Sequence, residues 1–154
     1  MARTTTRVPH GGQFLTVGYE GRTLDEFVQL LVSNRVQVLV DVRENAVSRK
    51  PGFSKRRLAE ALEGAGIEYR HEALLGNPKD NRDAFRNGSV ALGKRRYLAH
   101  LDNGSRAAFD EVVELAMTKR VALLCFERDE AHCHRACIVE KAQEEIPALS
   151  VSRL

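Results

Sequence analysis

Apolar positions along the chain fall into short unbroken runs that alternate with stripes at helical spacing. Phe14–Tyr19 is the first run and reads as a strand. Thr23-Leu24-Asp25-Glu26 follows, with a threonine three residues ahead of a glutamate, the spacing of a capping box, so a helix begins there. Leu24, Phe27, Val28 and Leu31 then recur at i, i+3, i+4 and i+7 and give that helix one apolar stripe, ending near Asn34. Val36–Val42 is a β-branched run, and its continuous apolarity at Val38–Val40 suits a strand covered on both faces, as parallel strands are. Ser54 is placed to cap a second helix with the stripe Leu58, Ala61, Leu62 and Ala65, and Gly66 suits a left-handed stop. Ile67–His71 is a third short strand.

Residues 76–104 are punctuated by Gly76, Pro78, Gly88, Gly93 and Gly104, which predicts short helices between turns, one of them near Lys94–Leu101. Ser105 is placed to cap a helix with the stripe Phe109, Val112, Val113 and Ala116, and Val121–Phe126 is a strongly apolar strand. Another helix is expected from about His132 to Glu145, then an edge strand at Leu149–Val151. On that helix Ile138, Val139, Ala142 and Ile146 share one face with Cys133 and Cys137 opposite, which predicts that these two thiols lie away from the core. Strands alternating with helices predict right-handed βαβ units and an α/β fold: a mostly parallel sheet flanked by helices, in three layers and one domain over residues 13–154. Residues 1–12 read as a flexible N-terminal tail. Ligands of such sheets sit at the carboxyl ends of the strands, here the loops after Tyr19, Val42, His71 and Phe126.

Composition narrows the class. A chain of 154 residues, 43% of them hydrophobic, suits one soluble domain. No apolar run approaches the roughly 18 residues of a membrane span. Three clustered cysteines, Cys125, Cys133 and Cys137, and the lack of a hydrophobic signal core point to a reducing cytoplasm rather than a secreted disulfide scaffold. The net charge of +3 conceals an asymmetry: residues 1–42 are balanced, residues 43–96 carry thirteen basic and seven acidic side chains, and residues 97–154 carry seven and ten. The basic excess is densest at Arg43, Arg49, Lys50, Lys55, Arg56 and Arg57, either a candidate anion-binding surface or an ordinary solvated face.

The four strand-end loops hold most of the chain's unusual polar content. Gly18-Tyr19-Glu20-Gly21-Arg22 follows the first strand, Asp41-Val42-Arg43 and then Ser48-Arg49-Lys50-Pro51-Gly52-Phe53-Ser54 the second, and His71, Glu72 and Gly76-Asn77-Pro78-Lys79 the third. After the Val121 strand come Cys125-Phe126-Glu127 and His132-Cys133-His134-Arg135, where a helix N-terminus favours an anion and lowers the pKa of a thiol. Either Cys125 or Cys133 can serve as nucleophile, the second being better placed beside His132, His134 and Arg135; the alternative for Cys125 is a small buried hydrophobe. Asp41 and Glu127 are candidate bases, with a structural Asp41–Arg43 pair as the alternative. Arg43, Arg49, Lys50 and Arg135 have the chemistry to converge on a phosphate, with Tyr19, Arg22, Ser48, His71 and Asn77 as further substrate-binding candidates, and Phe53 either stacks on a base or anchors its loop. A metal is not expected: there is no C-x-x-C pair, and Cys133 with Cys137 would need two ligands from elsewhere.

In order and spacing the chain resembles the family catalogued as domain of unknown function 488. The resemblance rests on Thr16-Val17-Gly18-Tyr19 with Arg22-Thr23-Leu24, Leu39-Val40-Asp41-Val42-Arg43, Ser48-Arg49-Lys50-Pro51-Gly52-Phe53-Ser54-Lys55, Gly66-Ile67-Glu68-Tyr69, Leu75-Gly76-Asn77-Pro78-Lys79, and Leu123-Leu124-Cys125-Phe126-Glu127 with Cys133-His134-Arg135. It departs at Ala46, where proline is usual, and in lacking a proline before Cys133. The resemblance implies a compact α/β fold and a shared site.

Three functional readings follow. The first is an enzyme of a nucleotide or nucleic acid, performing group transfer or hydrolysis, with the phosphate held by the Arg43–Lys50 loop and chemistry from Glu127, Cys133, His134 and Cys125. The second is a non-catalytic nucleic-acid-binding module on the same basic face. The third is a thiol or sulfur-transfer protein of rhodanese-like type. The cofactor is left open, and no membrane partner is expected.

Overall fold

The computed structural model describes residues 13–86, 89–129, 131 and 133–154; the expected tail and His132 lie outside them. The chain runs β1 (Gln13–Gly18), α1 (Leu24–Ser33), β2 (Val38–Asp41), α2 (Lys55–Gly64), β3 (Glu68–His71), a short 3-10 turn (Ala73–Leu75), α3 (Lys79–Arg86), α4 (Val90–His100), α5 (Arg106–Thr118), β4 (Arg120–Cys125), α6 (Arg135–Glu145) and β5 (Ser150–Arg153). All five strands pair in parallel in the order β3-β2-β4-β1-β5.

Successive side chains of a strand face opposite ways, so each strand feeds two cores. Phe14, Val38, Val40, Val121 and Leu123 pack with Tyr97, Phe109, Val112 and Ile138 from α4, α5 and α6. Leu15, Val17, Leu39, Ala122 and Leu124 pack on the other face with Phe27 and Leu31 of α1 and Leu58 and Leu62 of α2. The result is the expected three-layer α/β arrangement. Full burial of each Phe27- or Leu31-sized side chain contributes roughly 1.5–3 kcal/mol, which is why the α1 stripe fixes the helix on the sheet.

The capping box forms as its spacing predicts. Thr23 Oγ1 accepts from the Glu26 amide at 3.1 Å, and Glu26 Oε1 accepts from the Thr23 amide at 2.8 Å. Ser54 and Ser105 stand at the N-cap positions of α2 and α5, but neither side chain caps its helix. The Ser54 hydroxyl instead accepts from the Ser48 amide and donates to the Ser48 carbonyl. The Gly/Pro-rich stretch is more helical than its breakers suggest: α3 and α4 fill most of it, and α4 runs into α5 through a bend at which Gly104 takes φ +99°.

One expectation is overturned. Cys133 and Cys137 are buried, not turned away from the core. The wheel argument assumed that α6 has one covered face, whereas α6 packs on β4 and is also covered by α4, so Cys137 joins the same core as Ile138.

The topology itself selects the site. The chain leaves β2 through α2 toward β3 on one side, and leaves β4 through α6 toward β5 on the other. Adjacent strands whose connections depart in opposite directions open a crevice at their carboxyl ends, here between the segments that follow Asp41 and Cys125. On the other side of β4, where Gly18 pairs in register with Cys125, the two segments close up and glycine is required: a Cβ at Gly18 would lie 1.9 Å from the Glu127 carbonyl oxygen. Gly18→Ala is therefore expected to push back the segment after β4 and lower stability by about 1–3 kcal/mol, read from urea unfolding; unchanged stability would contradict this close approach.

Candidate active site

The loop after β2 is held by one buried ion pair. Asp41 is fully buried at the end of β2, and Arg43 grips it in a fork, Nε to Oδ1 at 2.8 Å and Nη2 to Oδ2 at 2.7 Å. The pair also gathers groups from other parts of the chain: Arg43 Nη1 donates to the Phe53 carbonyl at 2.7 Å and to the Tyr19 hydroxyl at 3.4 Å, and the Tyr69 hydroxyl donates to Asp41 Oδ2 at 2.6 Å. Burial alone would lower the Arg43 guanidinium, but the hydrogen bonds and charge of Asp41 outweigh it and hold the group above its usual value. The loop closes on Phe53, whose ring is fully buried and stacks on Tyr19 at 4.5 Å, so this phenylalanine anchors its loop.

A cavity of about 160 Å³ opens beside this loop at the ends of β2 and β4, with Tyr19 from the end of β1 on its wall. Its floor carries Cys125, Cys133 and His134; Tyr19, Phe85 and Phe126 supply aromatic wall, and Asn77, Glu127, Arg82 and Arg86 the polar edge. The Arg82 guanidinium lies 3.5 Å from Glu44, and that of Arg86 3.7 Å from Glu127. A more open depression of about 410 Å³ continues outward across Arg86, Phe126 and Glu127 to Glu20 and Asp129.

The floor is chemically concentrated. Cys125, at the end of β4, and Cys133, in the turn before α6, are joined in a disulfide. The Cys125 sulfur is 3.3 Å from Glu127 Oε2; the Cys133 sulfur is 3.5 Å from His134 Nδ1 and accepts from Arg135 Nε at the same distance. Arg135 is fully buried and also donates to the Glu127 carbonyl. His134 Nε2 is 2.7 Å from the Val42 carbonyl oxygen, an obligate acceptor, so Nε2 carries the proton and Nδ1 presents its lone pair to Cys133. Burial holds the His134 pKa down to about 4, with the neighbouring guanidinium of Arg135 adding to the effect of desolvation, so the ring is neutral at pH 7. Such a ring can take a proton from a thiol beside it. Cys137 contrasts: burial, then the charge of Glu140, pushes its thiol up to about 12, which keeps it protonated and inert.

Several residues singled out from sequence are brought together here and others are not. Glu127, Cys125, Cys133, His134, Tyr19 and Asn77 meet at the cavity, with Arg135 behind Cys133. Arg43 lines it, but its guanidinium is committed to Asp41 and the loop. Arg22 sits elsewhere, donating to the Gly18 and Leu154 carbonyls. Ser48 braces its own loop, His71 bonds the Arg43 carbonyl, Arg49 is exposed, and the Lys50 ammonium lies 5.9 Å from the Phe53 ring centre. Arg82, Arg86, Phe85 and Glu44 were not anticipated; the Gly/Pro breaks that hid α3 also hid its inward face.

Two outcomes are expected. Removing one partner of the buried pair, as in Asp41→Ala, should cost roughly 3–5 kcal/mol by leaving an uncompensated charge, measured by urea unfolding; a loss below about 1 kcal/mol, the range of an exposed ion pair, would contradict its structural role. His134 binds its proton less readily folded than unfolded, so its contribution is full above the unfolded value of about 6.5. That contribution is lost as pH falls toward about 4, a change of about 3 kcal/mol. His134→Gln should flatten that part of the stability–pH curve, and an unchanged slope would contradict the assignment.

Among known proteins, no curated protein and no solved structure matches the chain. A family model does match, over residues 23–142, from the capping box of α1 into α6 and so across most of the frame and the floor of the cavity. The chain belongs to that family, described as Domain of unknown function DUF488.

Proposed function

We propose that this protein is a thiol enzyme that performs group transfer or hydrolysis on a small phosphate-bearing substrate of nucleotide type. The observation that carries the reading is the Cys133 sulfur 3.5 Å from the bare Nδ1 of His134 at the floor of a cavity, with the ring oriented by the Val42 carbonyl. Nucleophile, base and orienting group in series are the general logic of an activated nucleophile, and the Arg135 guanidinium favours the thiolate. In the reduced chain His134 takes the Cys133 proton as the sulfur attacks the electrophilic centre, so that no free imidazolium precedes the attack. The leaving group departs with the proton from His134. Water or an acceptor hydroxyl, deprotonated by His134, then releases the group from sulfur and restores the thiol.

Size and charge support the substrate class. The inner cavity of about 160 Å³ is small for a whole nucleotide but of a size for a phosphate, and Arg82 and Arg86 on its lining, each loosely paired with a carboxylate, have guanidinium groups that suit bidentate contacts. Phe126, 43% exposed, offers the outer depression a ring face on which a base can stack, and Glu20 and Asp129 can accept from sugar or base donors. Those same carboxylates repel a continuous polyanion, which favours a mononucleotide over a nucleic-acid strand. The nucleic-acid-binding alternative draws on the exposed Arg49, Lys55, Arg56 and Arg57, which lie outside the cavity lining.

Thermal shift of the reduced protein against nucleoside phosphates, nucleosides and oligonucleotides tests the reading. A mononucleotide at about 100 times its Kd should stabilise by about 2.7 kcal/mol, and Arg82→Ala/Arg86→Ala should lose the shift. Stabilisation by oligonucleotides alone, steeply weakened by salt, would favour the binding module instead; no shift with any phosphate ligand would overturn the substrate class.

A further inference from the structure

We infer that the reduced chain holds a soft divalent cation of the zinc class, bound by Cys125 Sγ, Cys133 Sγ and His134 Nδ1. The spacing of these residues along the sequence argued against a metal because it lacks a C-x-x-C pair. The fold supplies what the spacing does not. Cys125 ends the central strand β4, the Cys133–His134 turn returns over it ahead of α6, and the three donor atoms all lie within 4.8 Å of one another.

Three features make this a site and not merely a cluster. The donor set is the right chemistry, since thiolate and imidazole are the ligands that zinc-class ions select. One edge of the set already has the required length, and the two sulfurs, bonded here, need only part on reduction. Bond lengths of about 2.3 Å to sulfur and about 2.0–2.1 Å to nitrogen give a tetrahedral edge of about 3.5 Å between the two donors, and Cys133 Sγ stands 3.5 Å from His134 Nδ1. Finally, the outer hydrogen bonds are those of a ligating set. His134 Nε2 donates to the Val42 carbonyl at 2.7 Å, which fixes the tautomer that leaves Nδ1 to bind, and Arg135 Nε donates to the Cys133 sulfur. Three protein donors leave a fourth position, and all three ligating residues line the cavity. Structural sites are closed by a fourth protein ligand, whereas three ligands and an open place characterise sites that meet water or substrate.

Binding requires the disulfide to be opened by two electrons from a thiol or phosphine reductant. The two thiols then release two protons as the cation takes their place. Disulfide, free dithiol and metal complex are thus alternative states of one floor. The inference goes beyond the thiol-nucleophile reading, and the two compete for Cys133: in the metal complex its thiolate is a ligand and not a nucleophile.

The test titrates the full chain, reduced with a phosphine and stripped by chelator, with cobalt(II). The expected result is one cobalt per chain with intense visible bands of a tetrahedral site and a thiolate-to-cobalt charge-transfer band, displaced by one equivalent of zinc(II). Cys125→Ser and Cys133→Ser should each lose the charge-transfer intensity and weaken binding at least tenfold, while Cys137→Ser, outside the donor set, keeps both. Far-UV circular dichroism confirms folding of each variant. His134→Gln should weaken binding with the thiolate band retained. No stoichiometric cobalt on the reduced wild-type chain, or bands that survive Cys125→Ser and Cys133→Ser, would overturn the site. Neither result depends on nucleotide binding or turnover, so failure here leaves the enzymatic reading to be judged by its own experiment.

Discussion

The buried fork between Arg43 and Asp41 is the interaction on which the candidate site depends. It lies at the carboxyl end of β2, and the loops after β1 and β2, the strand β3 and the His134 ring are tied to it or to its immediate backbone. Through Phe53 it closes the loop that Ser48 and Ser54 brace; through Tyr19 it fixes the aromatic wall; through Tyr69 it reaches β3. The carbonyl of Arg43 accepts from His71, and the carbonyl of Val42 fixes the His134 ring. A charge pair taken out of water costs desolvation that only a full set of hydrogen bonds offsets, and the contacts around Asp41 supply that set. The consequence for function is that the guanidinium which looked most like a phosphate ligand serves as scaffold, and its backbone neighbour orients the chemical group.

The sheet order gives the second constraint. Because β4 sits between β2 and β1, a residue at its end is central, and Cys125 opens directly into the crevice between oppositely departing connections. The chain then returns to begin α6, and the turn just ahead of that helix brings Cys133 and His134 beside Cys125. Gly18 permits this return, since any side chain there would strike the Glu127 backbone. Concentration of thiol, imidazole, carboxylate and guanidinium at one point thus comes from the fold bringing together two short runs, residues 125–127 and 133–135.

Much of the frame was legible because it is written in local terms. The Thr23–Glu26 box, the Phe27–Leu31 stripe and the apolar runs of β1, β2 and β4 each depend on residues within a turn or two of one another. What failed to be legible depends on distant partners. Cys137 was placed outward because a helical wheel cannot see that α4 covers a second face of α6, and Cys133 because the wheel extended the helix back over what is a turn. Arg82 and Arg86 carried no signal, since their role as pocket edge exists only once α3 packs beside the loop at Glu44. The eight-residue separation of Cys125 from Cys133 concealed their contact for the same reason. Asp41 and Arg43 are the instructive middle case: two residues apart, they were read both as site and as structural pair, and only the burial of Asp41 decides between them.

The central claim is that Cys133 is an activated thiol, and its ionisation tests that most directly. In reduced, chelator-treated Cys125→Ser/Cys137→Ser protein only Cys133 remains to be alkylated, so the pH dependence of its reaction with iodoacetamide reports its own thiolate. The account predicts an apparent pKa at least one unit below the free-thiol value of about 8.5, because the Arg135 guanidinium donates to the sulfur. A profile centred at or above the free-thiol value would show an ordinary buried cysteine and contradict the account.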